Sequence, residues 1–126
     1  IMLYSCSTSR PQLLDNDTFK LTEATTDASY GYTEKNPIKV GGVKQSLGPV
    51  NERRFLNALT GPNGETVTYY RSGSCCMFKS KNGMFGNGLL DHYRVTWEGK
   101  GDTVSIYINM YDYEALKIPV GFKSRD

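Results

Sequence analysis

Apolar and polar positions alternate most regularly in the C-terminal half of the chain. From Leu89 to Glu98 the alternation places Leu89, Tyr93, Val95 and Trp97 on one face with Asp91. His92, Arg94, Thr96 and Glu98 fall on the other. Gly99-Lys100-Gly101-Asp102 supplies a four-residue turn. Thr103 to Tyr111 then returns with Val104, Ile106, Ile108 and Met110 inward and Ser105, Tyr107, Asn109 and Tyr111 outward. This pattern predicts an antiparallel hairpin. A further strand, Glu65 to Arg71, leaves the turn Pro62-Asn63-Gly64. It is expected to end in a bend, Ser72-Gly73-Ser74, that delivers the adjacent cysteines Cys75 and Cys76. Lys79 to Gly88, with Asn82-Gly83 and Gly86-Asn87-Gly88, is expected to be a flexible loop carrying apolar Met84 and Phe85 at its tip.

One helix is predicted, from Val50 to Leu59, with Pro49 suited to its first turn and Gly61-Pro62 ending it. Phe55, Leu56 and Leu59 share a face, while Glu52, Arg53 and Asn57 are assigned to solvent. Two to three turns are not stable alone, so the helix must pack on a sheet. In the N-terminal half, Thr18 to Thr22 and the Ile38–Val40 pair predict short strands, the second stopped by Gly41-Gly42. That glycine pair lacks the spacing of a phosphate loop. The fold class predicted is α+β: a mainly antiparallel sheet of about four to six strands with one short helix packed on it.

A chain of 126 residues is one domain, large enough to bury a core without staples. Nine Tyr and five Phe against a single His suit β-structure. The net charge of +2 is spread without a basic run, which argues against nucleic acid as a partner. No apolar run approaches the roughly 20 residues of a membrane-spanning helix.

The start of the chain changes the picture more. Ile1 to Cys6 matches the end of a bacterial secretory signal with a lipobox: Leu3 stands three places before Cys6 and small Ser5 immediately before it. On this reading residues 1–6 are a signal remnant, Cys6 is the acylated residue, 7–17 are a polar tether, and 18–126 are the globular domain. The alternative is an incidental apolar start. Cys75 and Cys76 either form a vicinal disulfide, which an oxidising envelope favours, or stay reduced with one buried and one outward. Cys75, Cys76 and His92 fall short of the four ligands of a structural zinc site, and His92 is placed outward, away from a cysteine nucleophile. No metal, cofactor or catalytic set is predicted.

Several segments carry a family resemblance: Tyr30-Gly31-Tyr32-Thr33, Asn36 to Gly42, Asn51 to Leu59, Gly61-Pro62-Asn63-Gly64, Arg71 to Cys76, Gly88-Leu89-Leu90-Asp91 and Asn109-Met110-Tyr111-Asp112. Together, over Tyr30 to Phe122, they resemble a family of short bacterial envelope proteins, often lipoproteins, of unknown function. Some members carry the name 2-dehydro-3-deoxyphosphooctonate aldolase. The resemblance implies a lipid-anchored place in the cell envelope, facing the periplasm or the cell surface, and through that name an aldolase activity. A (β/α)₈ aldolase barrel needs about 250 residues with βα alternation, which this chain does not show. The function expected is therefore a non-catalytic domain that docks on another envelope component, with Met84 and Phe85 as contact residues. The alternative is a glycan-binding module using the outward Tyr107, Asn109 and Tyr111 with His92 and Arg94.

Overall fold

The computed structural model describes residues 10–126, so Cys6 and the lipobox-like start lie outside the described residues. The elements in chain order are β1 (Leu13–Asp15), β2 (Thr18–Phe19), β3 (Ile38–Lys39), α1 (Gly48–Asn57) and β4 (Leu59–Thr60). They are followed by β5 (Val67–Met84), β6 (Asn87–Trp97), β7 (Val104–Asn109) and β8 (Lys123–Ser124). The fold is α+β, as the alternation predicts. A four-stranded sheet runs β3–β7–β6–β5, and two ribbons, β1–β2 and β4–β8, flank it. All pairings between these strands are antiparallel except β3, which joins β7 in parallel with Ile38 opposite Ile108.

The predicted hairpin is present with its register intact: Tyr93 faces Ile106 and Val95 faces Val104. Ile106, Ile108 and Val95 are sealed from solvent in one cluster with Phe55, Leu56 and Leu59, and Val104 and Met110 pack at its margin. The helix begins two residues earlier than expected. Gly48 makes this possible, because a Cβ there would lie 2.6 Å from the sulfur of Met110. Leu116, Ile118 and Phe122 also enter the core, and the Trp97 ring meets Phe122 edge-on at 5.2 Å. Their segment has no period, so alternation could not announce it.

Three expectations are corrected. First, residues 13–15, assigned to a tether, form β1 and pair with β2, and Arg10 lies 4.7 Å from the centroid of the Tyr113 ring. Second, β5 does not stop at the cysteines. It continues to Met84 and turns at Phe85-Gly86, but its pairing with β6 reaches only Lys79. Lys79 and Met84 both lie opposite Asn87, so residues 80–83 bulge out unpaired within the segment expected to be a loop. Irregularities between Arg71 and Gly73 and between Cys75 and Met77 each leave one residue unpaired, which bends the strand without ending it. Because β7 pairs with β6 only from Asp91 to Val95, the far ends of β5 and β6 project as a two-stranded arm.

Third, Leu90 is buried and Leu89 exposed, the reverse of the alternation. The core face of β6 ends at Asp91. Along the arm the covered face is the opposite one, where Gly88 lies against Phe78 and Tyr111. No helix among the described residues is long and apolar enough to cross a membrane.

Candidate functional site

The sequence reading placed Glu52 in solvent, yet it is only 1% exposed. It precedes Phe55 and Leu56 by three and four residues, so it shares their helical stripe. That spacing was the signal available for finding it. Tyr93 Oη donates to Glu52 Oε1 at 3.0 Å. Oε2 is buried with no donor directed at it. An ionised oxygen there would be an uncompensated buried charge, which costs several kcal/mol. The group holds its proton instead. Burial, and then the neighbouring Asp91 carboxyl, push its pKa up to about 9, against the lowering effect of the Tyr93 hydrogen bond. The tyrosine hydroxyl is itself pushed up by burial and by Glu52.

Asp91 points inward as the alternation predicts, but it does not satisfy loop backbone donors. Its Oδ1 accepts from Arg71 Nε at 3.0 Å and Arg71 Nη2 at 2.8 Å. The chain thus brings the buried Tyr93, Glu52 and Asp91 together from α1 and β6, with Arg71 of β5, its side chain 51% exposed, at their edge. Above them opens a cleft of about 370 Å³, walled by Pro49 and Met110. Tyr69, Tyr70, Arg53 and Arg71 form the rest of its lining.

The arm is the second feature. Its far end, past the Lys79–Asn87 pair, is fastened by Asp112. Oδ1 accepts from Ser80 Oγ at 2.7 Å and Asn82 Nδ2 at 3.1 Å, and Oδ2 accepts from Asn109 Nδ2 at 3.0 Å. Burial pushes the Asp112 pKa up, but these hydrogen bonds outweigh it and hold the group below its ordinary value. Phe78 meets Tyr111 edge-on at 5.8 Å. On either side of this clamp the arm exposes apolar surface: Phe85 is 93% and Met84 77% exposed beyond it, and Met77 71% before it. Residues 66–90 contain Arg71, Lys79 and Lys81 and no acidic residue. Cys75 and Cys76 are joined as a vicinal disulfide at the second irregularity of β5. Cys76 lies in the left-handed region at φ 66, where the ring with its neighbour holds it. Among the described residues, Glu34 joins these cysteines in a group of potential metal ligands within 4.8 Å. Disulfide sulfurs are not the thiolates that bind metal.

The outward strip does not assemble as the alternation suggests. Asn109 is 2% exposed. Its Oδ1 accepts from the backbone of Tyr111 at 2.7 Å and of Asp112 at 3.0 Å, closing the turn after β7. Tyr111 belongs to the arm clamp, and Tyr107 stacks on His92 with centroids 4.9 Å apart. His92 Nε2 lies 2.7 Å from Ser105 Oγ, which also accepts from Arg94 Nη1 at 2.8 Å. With Arg94 already donating to that oxygen, the hydroxyl is free to donate to a neutral imidazole. Burial, and then the Arg94 charge, accordingly lower the His92 pKa. The predicted contact residues therefore divide between two places: Met84 and Phe85 at the arm tip, and His92, Arg94 and Tyr107 on the sheet's outer face.

No protein-family model, no curated protein and no solved structure matches the chain.

Proposed function

We propose that the chain is a non-catalytic, lipid-anchored domain of the bacterial cell envelope that docks on another envelope protein through the β5–β6 arm. The carrying observation is the apolar surface of the arm, where Met77, Met84 and Phe85 stand in solvent on either side of the Asp112 clamp. Exposed aromatic and methionine anchors of this kind dominate binding when they enter a partner's pocket. Lys79 and Lys81, with no acidic residue nearby in the arm, suit a partner whose pocket has an acidic rim. A vicinal disulfide agrees with an oxidising compartment outside the cytoplasm.

Changing Met84 and Phe85 together to Ser tests the contact. Neither side chain is in the core, so the variant is expected to melt with the wild type and to lose a partner crosslinked in intact envelopes. A partner retained at wild-type yield would refute the arm as the docking element. The anchor is tested apart from it. Cys6→Ser is expected to shift the protein from the membrane to the soluble fraction, and an unmodified Cys6 in the mass spectrum of the wild type would refute acylation.

A further inference from the structure

Adjacent residues of an extended strand point to opposite faces, so neighbouring cysteines meet only where the strand leaves that geometry. Cys76 leaves it at φ 66, a left-handed conformation uncommon outside glycine. It is also the residue left out of the ladder, because Cys75 lies opposite Leu90 and Met77 already opposite Leu89. The extra residue shifts the pairs that follow by one, setting Phe78 opposite Gly88 and Lys79 opposite Asn87. A shift of one exchanges the faces of a strand. Here it lays the Phe78 ring over Gly88, where a Cβ would lie 2.9 Å from Phe78 Cζ and 2.8 Å from Tyr111 Cδ2. It also turns Met77 into solvent opposite Leu89, the two being 71% and 46% exposed. Cys76 thus decides which apolar side chains the arm presents.

The two cysteines are half-buried, and the exposed Glu34 offers a carboxylate oxygen within 4.8 Å of their sulfurs. The bond therefore lies at the surface, open to an attacking thiolate. We propose that this disulfide is a redox switch of the docking arm: oxidised, it holds the register that presents Met77 and Leu89, and reduced, it lets the arm slip by one residue. The inference rests on the arm being the docking element. The reductant is an envelope dithiol. One of its thiolates attacks a sulfur of the pair, breaking the S–S bond and forming a mixed disulfide. Its second thiol then displaces the cysteine, so the dithiol leaves as a disulfide and two electrons and two protons remain on Cys75 and Cys76. Freed from the ring, Cys76 becomes extended and pairs opposite Leu89. Met77 then lies opposite Gly88 and Phe78 opposite Asn87, so Phe78 leaves Tyr111 and Met77 leaves its place beside Leu89. The unpaired bulge of residues 80–83 takes in Lys79 and absorbs the slip.

Two double variants, Cys75→Ser/Cys76→Gly and Cys75→Ser/Cys76→Ala, separate the backbone from the thiol chemistry. Neither forms the bond, but glycine adopts the left-handed conformation freely and alanine does not. NMR of the full chain is expected to show ring contacts between Phe78 and Tyr111 in the oxidised wild type and in the Gly variant. They are expected to be lost in the wild type reduced with dithiothreitol. In the Ala variant the register that makes them is expected to be about tenfold less populated than in the Gly variant. Contacts between Tyr93 and Ile106 are expected in every sample, which shows that each is folded. Phe78–Tyr111 contacts that persist in the reduced protein, or at equal strength in the Ala variant, would overturn the switch. The partner crosslinked in intact envelopes reads the regulation. The Gly variant is expected to keep the wild-type yield and the Ala variant to lose most of it. Equal yields from the two variants would overturn the regulatory role. A wild type that crosslinks no partner would instead refute the docking arm, leaving the switch to be judged on the NMR contacts.

Discussion

Glu52→Gln is expected to make the domain more stable than the wild type at pH 8 and to flatten its dependence on pH. The folded pKa of Glu52 is raised from its ordinary 4.5 to about 9. Between those values the folded state holds a proton that the unfolded state has released. The stability linked to that proton is complete below 4.5 and is lost as the pH rises toward 9, at about 1.4 kcal/mol per pH unit. The groups facing Glu52 are Tyr93, Asp91 and Arg71. Gln reproduces the neutral form, its carbonyl accepting from Tyr93 as Oε1 does. Urea melts at pH 5 and pH 8 are expected to separate the two proteins by several kcal/mol more at the higher pH, on the order of 4 kcal/mol. Parallel profiles would mean that Glu52 is ionised in the folded state.

Ile106→Ala is expected to cost about 2–5 kcal/mol. Ile106 sits in the middle of β7, fully buried opposite Tyr93 and in one cluster with Phe55 and Leu56, so truncation leaves a cavity that the helix cannot follow inward. Tyr107→Ser on the opposite face removes a stacking contact with His92 and is expected to cost about 1 kcal/mol. Denaturant melts measure both. A reversal of the two costs would place the hairpin one residue out of register.

Alternation made that hairpin legible because β6 and β7 are covered by the core on one face only. It failed where coverage changes sides. Leu89 continues the inward series of Tyr93 and Val95, but the body of the domain ends at Asp91, so the same phase points Leu89 outward. The glycines of residues 83–88 suggested a flexible loop. In the structure they serve a hairpin end, and Gly88 is required by the close approach of Phe78 and Tyr111. Asn109 was hidden for a different reason. Its side chain answers to the turn that follows it, whose hydrogen bonds are set by Tyr111 and Asp112 and not by the strand's period. The buried carboxyl pair was half legible: Asp91 falls inward by alternation and Glu52 by helical spacing. Their meeting depends on α1 lying beside β5 and β6, which a single sequence does not state.

The docking account is tested most directly by contact at the tip itself. A photoreactive amino acid placed at position 85 in the full-length chain, and in a parallel strain at position 63, is activated in intact cells. Phe85 lies at the arm tip and Asn63 in an exposed turn before β5, so both reach solvent but only one belongs to the proposed contact. The account predicts one discrete crosslinked envelope protein from position 85 and none from position 63. Crosslinks from position 85 to lipid alone, or the same products from both positions, would contradict it.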